Sequence, residues 1–557
     1  MEQPTCRPGL VAWFRKWLVP PDGGELFRVS GEEIPAQDLI DEGCPGGSRG
    51  AAIATSAHVT RWAKVIDQTR CIGCHACTTA CKSENAVPVS VTRTYVKYVD
   101  VGLFPEARRA FQVTRCNQCG DPPCVAACPT RAMYQRTDGL IDFDKSRCMG
   151  CKACMAACPY EAIFINPADG AAEKCNFCAH RLAEGLEPAC VVVCPTSAIL
   201  VGDLHDTHSL VTRIVHREAV TVRRPEKGTR PAVFYKGAHQ ATLDPLAARR
   251  PTADLFLWAE RLAGSHQIAG PPTQRNAEAS AVLAYDIPHR SPWDWRVSAY
   301  TWTKGIAAGA YLVPALLVLI GLLSAESPLW RWAAPLVAGT FLALTGVFLI
   351  ADLEHPKRFY YIFTHAQWRS WLVRGAVIIS AYAALLALHF FASVIGRSSW
   401  QGALIPAGIA LAVMTAVYTA YLFAQARGRD LWQSPLLPPH LLIQAVLAGS
   451  AAMVLVAAAL PSNVAPALLW TLAGATALHV AFVAGEITIA HPTAHAALAV
   501  QQMTRGPLAW AFWVSVVFGV GGMVAPWIGV VAAVAALASL ALYEHAYVQA
   551  GQAVPLA

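Results

Sequence analysis

The two halves of this chain follow different hydrophobic patterns. From about residue 300 onward long apolar runs alternate with short polar breaks, whereas earlier residues mix the two on a scale of a few positions. Eight of the runs approach the ~20 residues that an α-helix needs to cross a bilayer: 303–323, 331–351, 371–391, 404–423, 440–460, 467–487, 508–524 and 526–543. A buried-core explanation would need eight all-apolar helices in one soluble domain. The pattern therefore predicts an all-α membrane bundle of eight transmembrane helices over 298–557. Its least sharply marked boundary is Ala525-Pro526, between the last two runs.

The rest divides into an N-terminal extension (1–65), a cysteine-rich domain (66–240) and a mixed, Pro-rich linker (241–297). Within the extension, Leu10, Val11, Trp13, Phe14 and Trp17 suggest an amphipathic helix over 10–19, and the linker suggests another over 252–263. The opening residues, Met1-Glu2-Gln3-Pro4, lack a charged region followed by an apolar one, so no secretory signal is expected.

Composition sharpens the division. A mean hydropathy of +0.37 averages a polar half and a very apolar one. The net charge of +7 comes with no basic stripe interleaved with aromatics, so nucleic acid is not an expected partner. All 18 cysteines lie between Cys6 and Cys194, and sixteen of them form four quartets. These are Cys71, Cys74, Cys77 and Cys81; Cys116, Cys119, Cys124 and Cys128; Cys148, Cys151, Cys154 and Cys158; and Cys175, Cys178, Cys190 and Cys194. Pro129, Pro159 and Pro195 follow the last three.

The run C-x2-C-x2-C-x3-C-P is an iron–sulfur signature whose fourth cysteine ligates the other cluster of a pair. Three thiolates on a tight loop cap three corners of a cubane, and the fourth, past a short helical turn, points away. Small residues inside the loops (Gly73, Ala76, Gly150, Ala153) let backbone N–H groups approach the sulfides. Zinc sites also use C-x2-C pairs, but a third cysteine two residues on and a fourth three beyond is not their spacing. Cysteines this crowded do not suit disulfides either. Sixteen ligands thus predict four [4Fe–4S] clusters in an α+β, ferredoxin-like multi-cluster domain, with Cys6 and Cys44 left as spare thiols.

Three stretches, CIGCHACTTACKSENAVP from Cys71, CNQCGDPPCVAACPT from Cys116 and KCNFCAHRLAEGLEPACVVVCPTSAILVGDL from Lys174, resemble the iron–sulfur subunits of the DMSO and polysulfide reductase families. So does RPEKGTRPAVFY from Arg224. That resemblance implies that the first quartet pairs with the fourth and the second with the third. One cluster would take Cys71, Cys74, Cys77 and Cys194, and its neighbour Cys175, Cys178, Cys190 and Cys81. The inner pair would take Cys116, Cys119, Cys124 and Cys158, then Cys148, Cys151, Cys154 and Cys128. All sixteen ligands are kept, where some relatives lose one.

An even number of spans puts both ends of the membrane half on one side, the cluster side. Arg290, Arg296, Lys304, Lys357, Arg358, Arg369, Arg374, Arg427, Arg429 and Arg505 fall there, against Arg331 and Arg397 opposite. The positive-inside rule then makes the cluster side cytoplasmic in a multi-pass protein of the bacterial inner membrane, with a periplasmic cluster domain as the alternative. Asp352, Glu354 and His355 close the second span, Tyr418 and Tyr421 the fourth, Glu486 and His491 the sixth, and Glu544 and His545 the eighth. Such groups either mark interfacial helix ends or serve function. Their convergence on the cluster side favours a shared redox site.

WTKGIAAGAY from Trp302, DLEHPKRF from Asp352 and SWLVRG from Ser370 resemble the NrfD-type membrane subunit of polysulfide reductase. The last of these leans partly towards the DMSO reductase membrane subunit. The resemblance implies a quinone site, menaquinone or ubiquinone, for which Asp352, His355, Arg358, Tyr418, Glu486 and Glu544 are candidates, with His289, Trp293 and Trp295 as a rim. It also implies a molybdopterin-type catalytic partner, since the chain shows no P-loop, no dinucleotide GxGxxG and no HExxH. The expected function is electron transfer and membrane anchoring between that partner and quinone in the lipid. A redox-driven ion-translocating complex is the alternative. It needs ionisable groups at mid-membrane, where His479 and Tyr382 stand with a few Thr residues, and His389 lies toward the far end.

Overall fold

A computed structural model describes residues 60–102, 105–251, 266–267, 281–459 and 464–557. Cys6, Cys44 and the two amphipathic helices expected over 10–19 and 252–263 lie outside the described residues.

In the cysteine-rich half one local unit recurs: a strand enters a cysteine loop, a short helix follows, and a Cys-Pro step leads into the next strand. The short helices are α1 (Ala76–Glu84), α2 (Pro123–Ala127), α3 (Ala153–Ala157), α4 (Ala179–Ala183) and α5 (Ala189–Val192). The loops turn through left-handed backbone at Gly73 (φ 70°) and Gly150 (φ 73°), where a side chain would be strained. A Cβ on Gly150 would also run into the Glu354 side chain, so this glycine serves the packing of the two halves as well as the turn.

Strands β1 (Trp62–Asp67), β2 (Thr94–Val101) and β3 (Arg108–Arg115) come first. Two three-residue hairpins follow, β4 (Met133–Gln135) with β5 (Ile141–Phe143), and β6 (Ile163–Ile165) with β7 (Ala172–Lys174). Next are β8 (Ile199–Asp203), helix α6 (Leu210–Arg217), β9 (Val220–Thr221), β10 (Val233–Lys236) and helix α7 (Gln240–Leu243). β1 lies at the centre of a sheet ordered β8-β1-β10-β9, antiparallel to β8 and parallel to β10. A two-residue ladder joins β11 (Arg250–Pro251) to β12 (His266–Gln267). β13 (Val282–Tyr285) then pairs antiparallel with β2, which pairs with β3. The stretch expected as a linker thus lends a strand to the cysteine domain. Its alternation, Val282-Leu283-Ala284-Tyr285, is too short to stand out among prolines and charges.

The second half is all helical. Among the described residues seven helices are long and apolar enough to cross a membrane: α8 (Trp295–Leu319), α9 (Leu329–Ala351, opening with a π turn), α11 (Trp371–Val394), α12 (Ser398–Ala424), α13 (Leu437–Ala457), α14 (Ala465–Thr488) and α18 (Val530–Ala553). A short α10 (Tyr361–Thr364) precedes α11, and α17 (Ala525–Ile528) precedes α18. Between α14 and α18 stand α15 (Ala494–Arg505) and α16 (Ala509–Met523), which pass the same test only as a pair bent by 75°. Helix α8 begins eight residues before its expected start, because Asp294 caps it by accepting from the Arg296 N–H at 2.8 Å. Helix α18 runs on past Glu544 and His545 to Ala553. Hydropathy alone marks where a helix leaves the lipid rather than where it ends. α8 and α13 cross closely through Gly309 and Gly449; a Cβ on Gly309 would strike the Ala445 carbonyl.

Candidate metal centres and their seam with the membrane helices

The folding of the cysteine loops gathers thiols from distant positions into cages. Cys71, Cys74 and Cys77 line one cavity with Cys194. Cys148, Cys151 and Cys154 line another with Cys128. Burial, with Cys175, Cys190 and Cys178 alongside, pushes the Cys81 thiol up to about 12. Burial also raises Cys119, whose thiol neighbours are Cys116, Cys124 and Cys158. Each set combines three cysteines of one quartet with the last cysteine of another.

The cages form a row. Cys77 of the first interacts electrostatically with Cys190 of the second, Cys116 of the third with Cys175 of the second, and Cys124 of the third with Cys128 of the fourth. Among the described residues no group of three or more His, Cys, Asp or Glu side chains is arranged around a single metal ion. Four thiols per cage, with a loop geometry that brings three from one quartet and one from another, fit a cubane. Backbone donors already point at the sulfurs: Ala198 N–H at 3.2 Å from Cys194 Sγ, Met133 N–H at 3.4 Å from Cys128 Sγ and Ala172 N–H at 3.4 Å from Cys148 Sγ.

The first cage sits at an exposed end of the domain: Cys74 is exposed, as are Ile72, Val192 and Val193. The fourth is seated on the helices. Arg358 donates to the Cys148 carbonyl at 2.7 Å and to that of Lys145 at 3.0 Å. His355 N–H donates to the Met149 carbonyl at 3.2 Å, and Ser370 Oγ to that of Ala127 at 2.8 Å. Trp293 Nε1 donates to the Cys151 carbonyl at 3.3 Å, while its ring packs against Trp432 (centroids 5.4 Å) and Phe423 (5.9 Å) inside the bundle. Lys152, inside the third cysteine loop, lies 3.4 Å from Asp352 and 3.1 Å from Glu354. Burial pushes the Asp352 carboxyl up to about 6, against the opposing pull of Lys152.

A second part of the seam is built on Glu161. It pairs with Arg429 at 2.8 Å and His289 at 3.4 Å, and accepts from the Leu556 N–H at 3.3 Å. Burial acts upward on this carboxyl, but Arg429 and His289 outweigh it and hold it below the ordinary carboxylate value.

These contacts revise the rim expected before the first span. His289 is engaged with Glu161 and Asp286. Trp295 is exposed on the outside of α8 against Phe348, whereas the Trp293 ring faces the seam at the fourth cage. Arg358 and His355 lie at the fourth cage as seam residues, joined there by Asp352. Tyr418 and Glu544 lie deeper and are buried. Tyr418 faces the Lys304 ammonium, 5.1 Å from its ring centroid, and Tyr300 has Tyr418, Glu544 and Asp352 as electrostatic neighbours. Glu486 stands apart on α14, its carbonyl facing His491 Nε2 at 2.9 Å, with Tyr543 and Tyr547 nearby.

Lys304, counted among the cluster-side charges, is buried in the bundle, donating to the Ala416 carbonyl at 2.9 Å and Thr419 Oγ1 at 2.7 Å. The set of buried ionisable groups among the helices is also larger than the sequence suggests. His440 and His479, both buried, meet Nε2 to Nδ1 at 2.9 Å, with Gln444 at 3.3 Å from His440. Gln444 follows His440 by one helical turn on α13, but His479 sits on α14, so no sequence signal links the two histidines.

Thiol cages in an α/β domain, resting on apolar helices, define a membrane-attached iron–sulfur electron carrier. The family models agree: a 4Fe-4S binding domain matches residues 62–83, a 4Fe-4S dicluster domain 108–204, and "Polysulphide reductase, NrfD" 286–543. The protein is similar to a tetrathionate reductase subunit of Salmonella typhimurium, 44% identical over 204 residues, which is 36% of this chain and 80% of the relative. It is similar to one of the polysulfide reductase polypeptides of Wolinella succinogenes, 41% identical over 177 residues, 31% of this chain and 93% of the relative. It is likewise similar to thiosulfate reductase electron transfer subunit PhsB of Salmonella typhi, 46% identical over 154 residues, 27% and 80%. The protein belongs to this family of reductase iron–sulfur subunits, and carries in the same polypeptide an NrfD membrane domain.

Proposed function

We propose that the protein is the electron-transfer and membrane-anchor component of a multi-subunit oxidoreductase, linking a catalytic subunit of the molybdopterin type to the membrane quinone pool. Four [4Fe–4S] clusters, when bound, supply one-electron steps; the protein supplies spacing, insulation and electrostatics. The observation that carries this reading is the row of four thiol cages, exposed at Cys74 and seated on the helices at Cys148 and Cys151. The exposed apolar residues Ile72, Val192 and Val193 suit the docking of a partner at the first cage.

At the other end, Asp352 is the best-placed proton relay for a quinone headgroup. It borders the fourth cage through Lys152 and is an electrostatic neighbour of Tyr300. Tyr300, Tyr418, Lys304 and Glu544 add donors and acceptors beneath it. We take α16 as an eighth crossing and the domain as ferredoxin-like. His495 of α15 neighbours Arg224 and Asp430 of the cluster side, while Trp527 meets Trp470 at the opposite end of α14, 5.8 Å between centroids. A helix between those levels supports passage through the membrane. We take the cluster side as cytoplasmic, supported by Lys357, Arg369, Arg374 and Arg505 against Arg331 and Arg397.

A second reading, redox-driven ion translocation, is favoured by the buried His440–His479 pair. Purification of the assembly followed by quinol-linked electron transfer, in detergent and in sealed vesicles, tests both. The first reading expects molybdenum in the co-purifying subunit and turnover without a membrane potential of its own. Potential generation abolished by His479→Ala, with turnover retained, would establish the second.

A further inference from the structure

Two cations are buried beside one thiol. Lys64, at the centre of β1, is fully buried and donates from Nζ to Cys190 Sγ at 3.6 Å, lying 4.0 Å from the Phe177 ring centroid. Arg115, at the end of β3, is 1% exposed and donates from Nη1 to the same sulfur at 3.2 Å. Its Nε and Nη2 have no hydrogen-bond partner among the described residues. Among those residues neither cation is within ion-pair distance of a carboxylate. Buried charges left unpaired are strongly destabilising, so a fold that keeps two of them on one sulfur is built to face an anion. The available anion is the second cage itself, with Cys190 as its contact atom.

Among the described residues no other thiol accepts a hydrogen bond from a cation: the buried Lys174 is an electrostatic neighbour of Cys116 and Cys124 in the third cage, but its Nζ donates to the Ile141 and Cys175 carbonyls. Cys128, Cys148 and Cys194 accept from backbone N–H groups, and Cys81 and Cys178 from the Asn85 amide at 3.7 Å each. Cys151 of the fourth cage has the Asp352 carboxylate as an electrostatic neighbour. Arg115 also acts on Cys77 of the first cage, but it is Cys190 that accepts hydrogen bonds from both cations.

Resting on the assignment of clusters to these cages, we infer that Lys64 and Arg115 make the centre held by Cys81, Cys175, Cys178 and Cys190 the highest-potential one of the row. Reduction adds one electron from a neighbouring centre; no proton moves and no bond forms or breaks. The added negative charge is stabilised by fixed cations in a low-dielectric interior, and potentials of such centres follow net charge and hydrogen bonds to sulfur. The second centre then holds an electron in readiness between the exposed end and the membrane. Lys64 and Arg115 are positioning residues for that electron.

The test is an anaerobic potentiometric titration of the full-length protein, followed by electron paramagnetic resonance. In the wild type one centre is reduced first. In Lys64→Gln and in Arg115→Met that centre alone moves down by at least tenfold in its reduction equilibrium, 59 mV for one electron, at unchanged iron content. Arg115→Lys, which keeps the charge, restores most of the shift. An unchanged first centre, or a shift confined to another signal, overturns the inference. Loss of iron from every neutral variant assigns the pair to assembly and overturns it too. A wild type without iron–sulfur signals would instead sink the functional reading on which the inference rests.

Discussion

Lys152 and Asp352, 200 positions apart, meet at the seam between the cysteine domain and the helices: the ammonium lies 3.4 Å from Asp352 Oδ1 and donates to its backbone carbonyl at 3.1 Å. Cys151 precedes Lys152 and the second span precedes Asp352, so the contact joins the fourth cage to the proposed quinone site. Asp352→Asn removes the carboxylate at nearly constant shape. The expected result is a loss of quinol-linked turnover of at least tenfold, about 1.4 kcal/mol or more on the barrier, with iron content unchanged. His355→Ala is expected to act more weakly, because the backbone N–H of His355 makes its seam contact with Met149. Normal turnover and inhibitor binding in Asp352→Asn would remove this placement of the quinone site.

Glu161 gives the seam a pH dependence. Its carboxyl is held below the ordinary value, so the folded state binds its proton less readily than the unfolded chain. Its stabilisation is complete above the unfolded value of about 4.3 and is lost as the pH falls through the lower folded value. Glu161→Gln leaves Arg429, whose side chain is 2% exposed, without its counter-charge. The expected cost is about 3–5 kcal/mol at neutral pH. Thermal unfolding in detergent from pH 7 to pH 3 should show the variant less stable at the upper end and the two curves converging at the lower. A constant gap would contradict the assignment.

Sidedness is best read by labelling. Val554, Leu556 and Ala557 are buried, and Leu556 binds Glu161 and Arg223, so a reporter fused there would disturb the seam. Ser399→Cys, exposed beyond α11 on the far face, should react with a membrane-impermeant maleimide in intact cells. Glu187→Cys, exposed on the cysteine domain, should react only after lysis. The reverse pattern would place the cysteine domain in the periplasm.

The cysteine spacing marks the thiol ligands, because a tight loop that supplies several of them leaves a local mark, whereas which quartets share a cage follows from the family resemblance. Long apolar runs likewise announce the membrane half. What stays hidden is how the elements meet. Arg358 and Arg429 enter the count of cluster-side charges, yet both are engaged in holding the cysteine domain, so their placement reflects the seam as much as the membrane. Lys304 looks like a third such charge and is buried among α8 and α12. Lys64 and Arg115 sit in ordinary strand patterns, and nothing in β1 or β3 points to Cys190. Local chemistry is written along the sequence; pairing across the fold is not.

The most direct test of the account is chemical analysis of the protein purified without oxygen. Four cubanes require about sixteen iron atoms per polypeptide with a matching amount of acid-labile sulfide. The account predicts that stoichiometry; zinc in place of iron, or iron without sulfide, would contradict it.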